Sequence, residues 1–122
     1  MPLHLTGEAA IHVEVVKRLR LAGVPFFHCP SEGMHHVSFR SKLKAMGFSA
    51  GIPDLIIIRP PPMFPAMCGT ALELKTSTGR TTPAQYQWLD RFAAEGWAAR
   101  CTYGLADAIE CLRSLGYLGY LP

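Results

Sequence analysis

The order of helix and strand signals predicts an α/β domain, a small mixed sheet flanked by helices in the order αβ(α)ββαβα. Three observations carry this. Asp54 to Arg59 and Thr70 to Lys75 read as buried strands separated by a proline-rich loop. Apolar residues recur at helical spacing before, between and after them. Glycines at positions 23, 47 and 96 stop the helical patterns. A chain of 122 residues suffices for one core, and with no repeat and no linker it reads as a single domain over 1–122.

Thr6 is placed to cap a first helix, Gly7 to Leu21, whose apolar stripe is Ile11, Val15, Leu19 and Ala22. Val24 to His28 is a short strand, followed by a polar loop from Pro30 to Val37. Ser41 to Met46 reads as a short helix. Gly51 and Pro53 lead into the strand from Asp54, which Pro60-Pro61-Pro62 must end because proline cannot continue a ladder. Thr70 to Lys75 is expected to return antiparallel to it. Thr82 caps the next helix, with Pro83 at its first position, running to about Glu95. Trp97 to Tyr103 is a strand, Ala106 to Leu115 an amphipathic helix, and Gly116 to Pro122 a tail.

Composition excludes several classes. No apolar run is long enough to span a membrane. Met1-Pro2-Leu3-His4 lacks the basic start and apolar core of a signal peptide. The expectation is an intracellular, cytoplasmic protein with no membrane partner; a phage or prophage origin stays open. Cys29, Cys68, Cys101 and Cys111 form no CxxC pair, and no disulfide framework is expected. A zinc site from His28, Cys29, His35, His36 and Cys68 fits no common zinc spacing. The histidines read instead as loop or substrate-contact residues. The net charge of +3 is mild, but Arg40, Lys42 and Lys44 precede Asp54, and Arg80 follows Lys75. These four are the candidate nucleic-acid contacts.

Asp54 and Glu73 carry the chemistry. A carboxylate among isoleucines is costly unless a cation or donor pairs with it. Side chains alternate along a strand, so Ala71, Glu73 and Lys75 share one face. Asp54 opens the neighbouring strand, where it can meet Glu73. Two such carboxylates repel unless a divalent cation lies between them, and oxygen ligands suit Mg²⁺ or Mn²⁺. The Leu74 backbone carbonyl is a further candidate ligand. Lys75 would stand beside a scissile phosphate, to orient or deprotonate the attacking water and offset charge. The competing reading is a surface ion pair between Glu73 and Lys75, with Asp54 capping a turn.

The ordered set resembles the PD-(D/E)xK nuclease superfamily, and within it the virus-type replication-repair nuclease (VRR-NUC) family. It comprises Thr6-Gly7-Glu8, Lys42-Leu43-Lys44-Ala45-Met46-Gly47, Gly51-Ile52-Pro53-Asp54, Glu73-Leu74-Lys75 with Gly79-Arg80, and Gln85-Tyr86-Gln87-Trp88-Leu89. The resemblance runs from Glu8 to about Leu112. It implies a restriction-endonuclease-like αβββαβ core with a small mixed central sheet flanked by helices. It also implies that Asp54 and Glu73 bind metal and that Lys75 is catalytic. An early helical glutamate completes such sites, directly or through water. At about 100° per residue, Glu8 shares a face with Ile11, His12 and Val15, whereas Glu14 turns to solvent near Lys17 and Arg18. The family often has glutamine near the position of His12, whose role is left open. Gln85 stands where a capping box with Thr82 requires it, and the family places a glutamine here near the active centre. Ser31-Glu32-Gly33 lacks the asparagine of the related loop. Trp88, Leu89 and Phe92 read as the buried face of their helix.

The implied activity is that of a Mg²⁺- or Mn²⁺-dependent endodeoxyribonuclease leaving 5′-phosphates in replication or repair. A chain this short leaves no room for a separate recognition domain, so shape and phosphate contacts should dominate over base readout. Stand-alone members resemble junction resolvases. A homodimer on branched DNA such as a Holliday junction is therefore expected, with Pro60–Met67 and Gly116–Pro122 as candidate dimer surfaces. The rivals are a non-catalytic nucleic-acid-binding module and an accessory subunit of a larger repair or replication complex.

Overall fold

The structure, a computed structural model, describes residues 5–30 and 37–119. Its elements are α1 (Gly7–Leu21), β1 (Phe26–His28), α2 (Val37–Ala45), β2 (Leu55–Ile57), β3 (Thr70–Lys75), α3 (Pro83–Ala94), β4 (Ala98–Tyr103) and α4 (Leu105–Leu115). The strands form one sheet in the order β1-β2-β3-β4. β1–β2 and β2–β3 are antiparallel, with Leu55 opposite Leu72, and β3–β4 is parallel, with Glu73 beside Cys101 and Lys75 beside Tyr103. The expected α/β fold with a mixed sheet is present.

The central position of β3 explains its uniform burial. One face carries Leu72 and Leu74 into a core with Val15 and Leu19 of α1, Leu55 and Ile57 of β2, and Ala108, Leu112 and Leu115 of α4. The other carries Ala71, Glu73 and Lys75 toward α3. Apolar side chains therefore fill one layer, while the α3 side keeps two ionisable groups out of bulk water.

Some local expectations need correction. Thr6 makes no side-chain cap bond. Gly7 enters α1 in the left-handed region, φ +59°, so the chain does not approach the helix as a hydroxyl cap requires. The short second helix begins at Val37, not Ser41. The strand expected from Asp54 to Arg59 is regular only over Leu55–Ile57. The segment after α4 is not a free tail through Leu118. Tyr117 is buried, its hydroxyl donates to the Arg59 carbonyl at 2.6 Å, and it lies 2.9 Å from Thr70 Oγ1. Since that hydroxyl proton goes to Arg59, Thr70 is the donor in the second bond. The proline-rich loop is tied in as well: Pro61 is buried, and the Met63 N–H donates to the Leu115 carbonyl at 3.0 Å. Both proposed dimer surfaces thus spend part of their apolar area inside the protomer. Met63 and Phe64 stay exposed, and 120–122 lie outside the described residues. No helix among the described residues is long and apolar enough to cross a membrane.

Candidate metal and nuclease centre

Asp54 sits at the open end of the β2–β3 pair, and its backbone and side chain are both held. Its carbonyl accepts from the Cys29 N–H at 2.9 Å and from His28 Nδ1 at 2.8 Å. A carbonyl only accepts, so Nδ1 of His28 carries the proton in this bond. Asp54 Oδ2 accepts from the Leu74 N–H at 2.8 Å. Within a strand the N–H and C=O of one residue face the same edge, so the Leu74 carbonyl is on the Asp54 edge of β3.

The approach to Asp54 depends on Gly51. At φ +82° it lies so close to α3 that a Cβ would fall 2.6 Å from the Ala84 carbonyl carbon and 2.8 Å from the Gln85 nitrogen. Only glycine permits both the conformation and the contact. The turn before Asp54 is thereby pressed against the first turn of α3.

That turn is a complete capping box. Thr82 Oγ1 accepts from the Gln85 N–H at 3.2 Å, and Gln85 Oε1 accepts from the Thr82 N–H at 2.9 Å. With its oxygen committed to the cap, the Gln85 amide donates through Nε2 to Glu73 Oε1 at 2.8 Å. Gln85 thus closes the capping box and also holds the Glu73 carboxylate.

Glu73 is 3 % exposed and Lys75 9 %. Lys75 Nζ is 3.7 Å from Glu73 Oε1, a buried contact and not the solvent-exposed pair of the competing reading. Glu73 Oε2 is buried with no hydrogen-bond partner. One oxygen each from Glu8, Asp54 and Glu73 lies within 4.8 Å of the others, the one such ligand group among the described residues. His28, Cys29 and Cys68 form none, and His35 and His36 lie outside the described residues. The pKa of Glu73 is pushed up to about 8, first by burial, then by the Asp54 charge, with Glu8 adding and Lys75 opposing. Three hard oxygen donors and an orphaned buried carboxylate oxygen fit a divalent cation of the Mg²⁺ or Mn²⁺ kind.

Glu8 and Glu14 part as helix phase requires. Glu8 joins the acidic group, whereas Glu14 pairs with Arg18 at 3.2 Å. Beside Glu8 and Asp54 an open cleft of about 620 Å³ is also lined by Ala9, His12, His28 and Pro30. Burial lowers the His12 pKa, His28 lowers it further, and Asp54 opposes.

Of the candidate nucleic-acid contacts, Arg40, Lys42 and Lys44 are exposed on α2, and Arg80 is exposed in the turn after β3. Helix geometry puts Arg40 and Lys44 on one face and Lys42 roughly 160° round the axis from both. They do not form one patch on α2. The roles of Gly51 and His28 were not legible in the sequence, since both rest on contacts between distant segments.

A sequence model of the VRR-NUC domain matches residues 11–105. The chain belongs to the VRR-NUC domain family. Asp54, Glu73, Lys75 and Gln85 fall inside the matched span, and Glu8 lies three residues before it. A solved structure described as a VRR_NUC domain protein is similar with a TM-score of 0.71 and 25 % identity, over 96 % of this chain and 93 % of that one. Another, described as a VRR_NUC domain, has a TM-score of 0.61 and 17 % identity, over 89 % and 97 %. At that identity the likeness concerns the fold alone. No match was found among curated proteins. Membership places the chain in a nuclease-type family.

Proposed function

We propose that the protein is a metal-dependent endonuclease that hydrolyses phosphodiester bonds in DNA, selecting branched structures rather than base sequence. The observation that carries this reading is the buried, unpartnered Glu73 Oε2 in an acidic group that Glu8 and Asp54 complete within 4.8 Å. An ion pair with Lys75 alone would leave that oxygen unsatisfied and two further carboxylates repelling it.

In this reading Asp54 and Glu73 hold Mg²⁺ or Mn²⁺, joined by the Leu74 carbonyl and, directly or through water, by Glu8. The cation supplies charge neutralisation and Lewis-acid polarisation of the phosphate. Gln85 fixes the Glu73 carboxylate by its bond to Oε1. Lys75, held beside the same oxygen, orients or deprotonates the attacking water and stabilises charge developing on the phosphate. Water attacks phosphorus and the 3′-oxygen leaves, giving a 5′-phosphate. Arg40 and Lys44, which share a face of α2, contact the DNA backbone with Arg80, while Lys42 faces away from them, and a homodimer would bring two such centres to two strands of a branch.

The test is cleavage of junction, splayed, nicked and plain duplex DNA in Mg²⁺ and in Mn²⁺, by wild type and Asp54→Ala. Metal-dependent products from branched DNA, absent with the variant, are expected. Products that persist with Asp54→Ala or in chelator would overturn the reading.

A further inference from the structure

The sheet has two edges, β1 and β4, and they are treated differently. β1 is three residues long, and shortness itself keeps an edge from pairing. β4 is six residues long, its register with β3 is unbroken by a bulge, and it carries no proline or lysine. Ala99, Cys101 and Tyr103 are only partly buried.

Successive residues of a strand turn their backbone groups to opposite edges. The Ala98 N–H donates to the Gly69 carbonyl at 2.9 Å and the Gly104 N–H to the Lys75 carbonyl at 2.8 Å. The even-numbered residues therefore bond to β3, and Ala99, Cys101 and Tyr103 present N–H and C=O outward. Two of these outward groups are used within the protomer. The Tyr103 N–H donates to Asp107 Oδ2 at 2.8 Å, and the Ala99 carbonyl accepts from Arg100 Nη1 at 3.1 Å. The Ala99 N–H, both groups of Cys101 and the Tyr103 carbonyl have no partner among the described residues.

This pattern selects a partner and a register. In an antiparallel pair, opposite residues of the hydrogen-bonded kind exchange both bonds. About a twofold axis at Cys101, that residue exchanges both bonds with the partner's Cys101. Each Ala99 N–H then meets the partner's Tyr103 carbonyl, so every open group has its complement. The two used groups fall opposite each other, which sets Arg100 of each protomer toward the partner's Asp107. Among the described residues neither side chain has an ion pair of its own. An axis at Arg100 or Thr102 would instead set a used group against an open one in each exchanged pair. Tyr86 of α3, 54 % exposed, lies near Tyr103 and adds apolar surface there.

We propose that β4 pairs with β4 of a second copy of this chain, antiparallel about a twofold axis at Cys101, joining two sheets into one. This goes beyond the nuclease reading, which invokes a homodimer without a surface, and it does not depend on cleavage.

Sedimentation equilibrium tests it on wild type, Cys101→Pro, Arg100→Asp, Asp107→Arg and Met63→Ser/Phe64→Ser. Wild type should be a dimer. Proline at 101 removes an outward N–H and no bond to β3, so Cys101→Pro should fold and dimerise about ten-fold more weakly or worse. Arg100→Asp and Asp107→Arg each set like charges together and should weaken the dimer about ten-fold or more. Mixed one to one, they should recover it, because the heterodimer has opposite charges at both ends. That recovery cannot come from misfolded chains, and melting curves check Cys101→Pro. Met63→Ser/Phe64→Ser should stay dimeric. A wild-type monomer at the highest soluble concentration, a dimer indifferent to the β4 variants, or failure of the mixture to recover would overturn the interface. Any of these alongside metal-dependent cleavage leaves the nuclease reading standing. The expected dimer with no cleavage in either metal overturns that reading and keeps the interface.

Discussion

Replacing Glu73 with glutamine should stabilise the metal-free protein while disabling its metal site. Burial and the neighbouring Asp54 raise the Glu73 pKa from 4.5 to about 8. Between those values the folded state holds a proton that the unfolded state has lost. Stability without metal must therefore fall as pH rises through this window, and level off above it. At about 1.4 kcal/mol per pH unit the window is worth about 5 kcal/mol. Glu73 is 3 % exposed, but buried sites behave with an effective dielectric well above that of dry protein, which lowers the expected loss to about 2–3 kcal/mol. Glutamine keeps the shape and never ionises. Denaturant unfolding followed by circular dichroism, in chelator from pH 5 to pH 9, measures both proteins. Wild type should lose about 2–3 kcal/mol across the range that Glu73→Gln keeps. Adding Mn²⁺ at pH 8 should restore wild type, by about 2.7 kcal/mol at a hundred times Kd, and leave the variant nearly unmoved. Parallel pH profiles, or equal stabilisation of both proteins by Mn²⁺, would refute the reasoning.

Lys75→Ala should retain metal and DNA binding yet lose cleavage on the order of 10²-fold or more, as when one transition-state donor is removed; near-normal single-turnover rates would remove Lys75 from the chemistry. Glu8→Gln should reduce cleavage strongly with little loss of stability, and Glu14→Gln, which only breaks the pair with Arg18, should change cleavage less than about two-fold; equal effects would show Glu8 to be structural. Gly51→Ala places a Cβ 2.6 Å from the Ala84 backbone, so unfolding free energy should drop by about 2 kcal/mol or more; a wild-type melting curve would mean the turn does not press on α3.

Local signals sufficed where one segment decides its own structure. The limits of α1, Gly7–Leu21, and of β3, Thr70–Lys75, are those expected, although the Thr6 cap bond expected at the start of α1 does not form. The meeting of Asp54 with Glu73 follows from an antiparallel return of β3, and the inward turn of Glu8 from helix phase. The capping box of Gln85 was visible as Thr82 and Gln85 three apart, whereas its bond to Glu73 was suggested only by family resemblance. What failed depended on distant partners. Nothing near Tyr117 indicates that the Arg59 carbonyl and Thr70 hydroxyl await it. The early start of α2 has no cap or proline signal, and its first turn, Val37-Ser38-Phe39, has poor helix propensity. The glycine at position 51 reads as a turn residue. Its contact with α3 exists only once the fold has assembled.

The central claim is that the Asp54–Glu73–Glu8 group is a divalent-cation site. Calorimetric titration of Mn²⁺ into wild type and Asp54→Ala at pH 8, with unfolding curves confirming that both are folded, tests it directly. Saturable binding to wild type, with affinity lower by about ten-fold or more in the variant, is the predicted result. Equal affinity in the two proteins would contradict it.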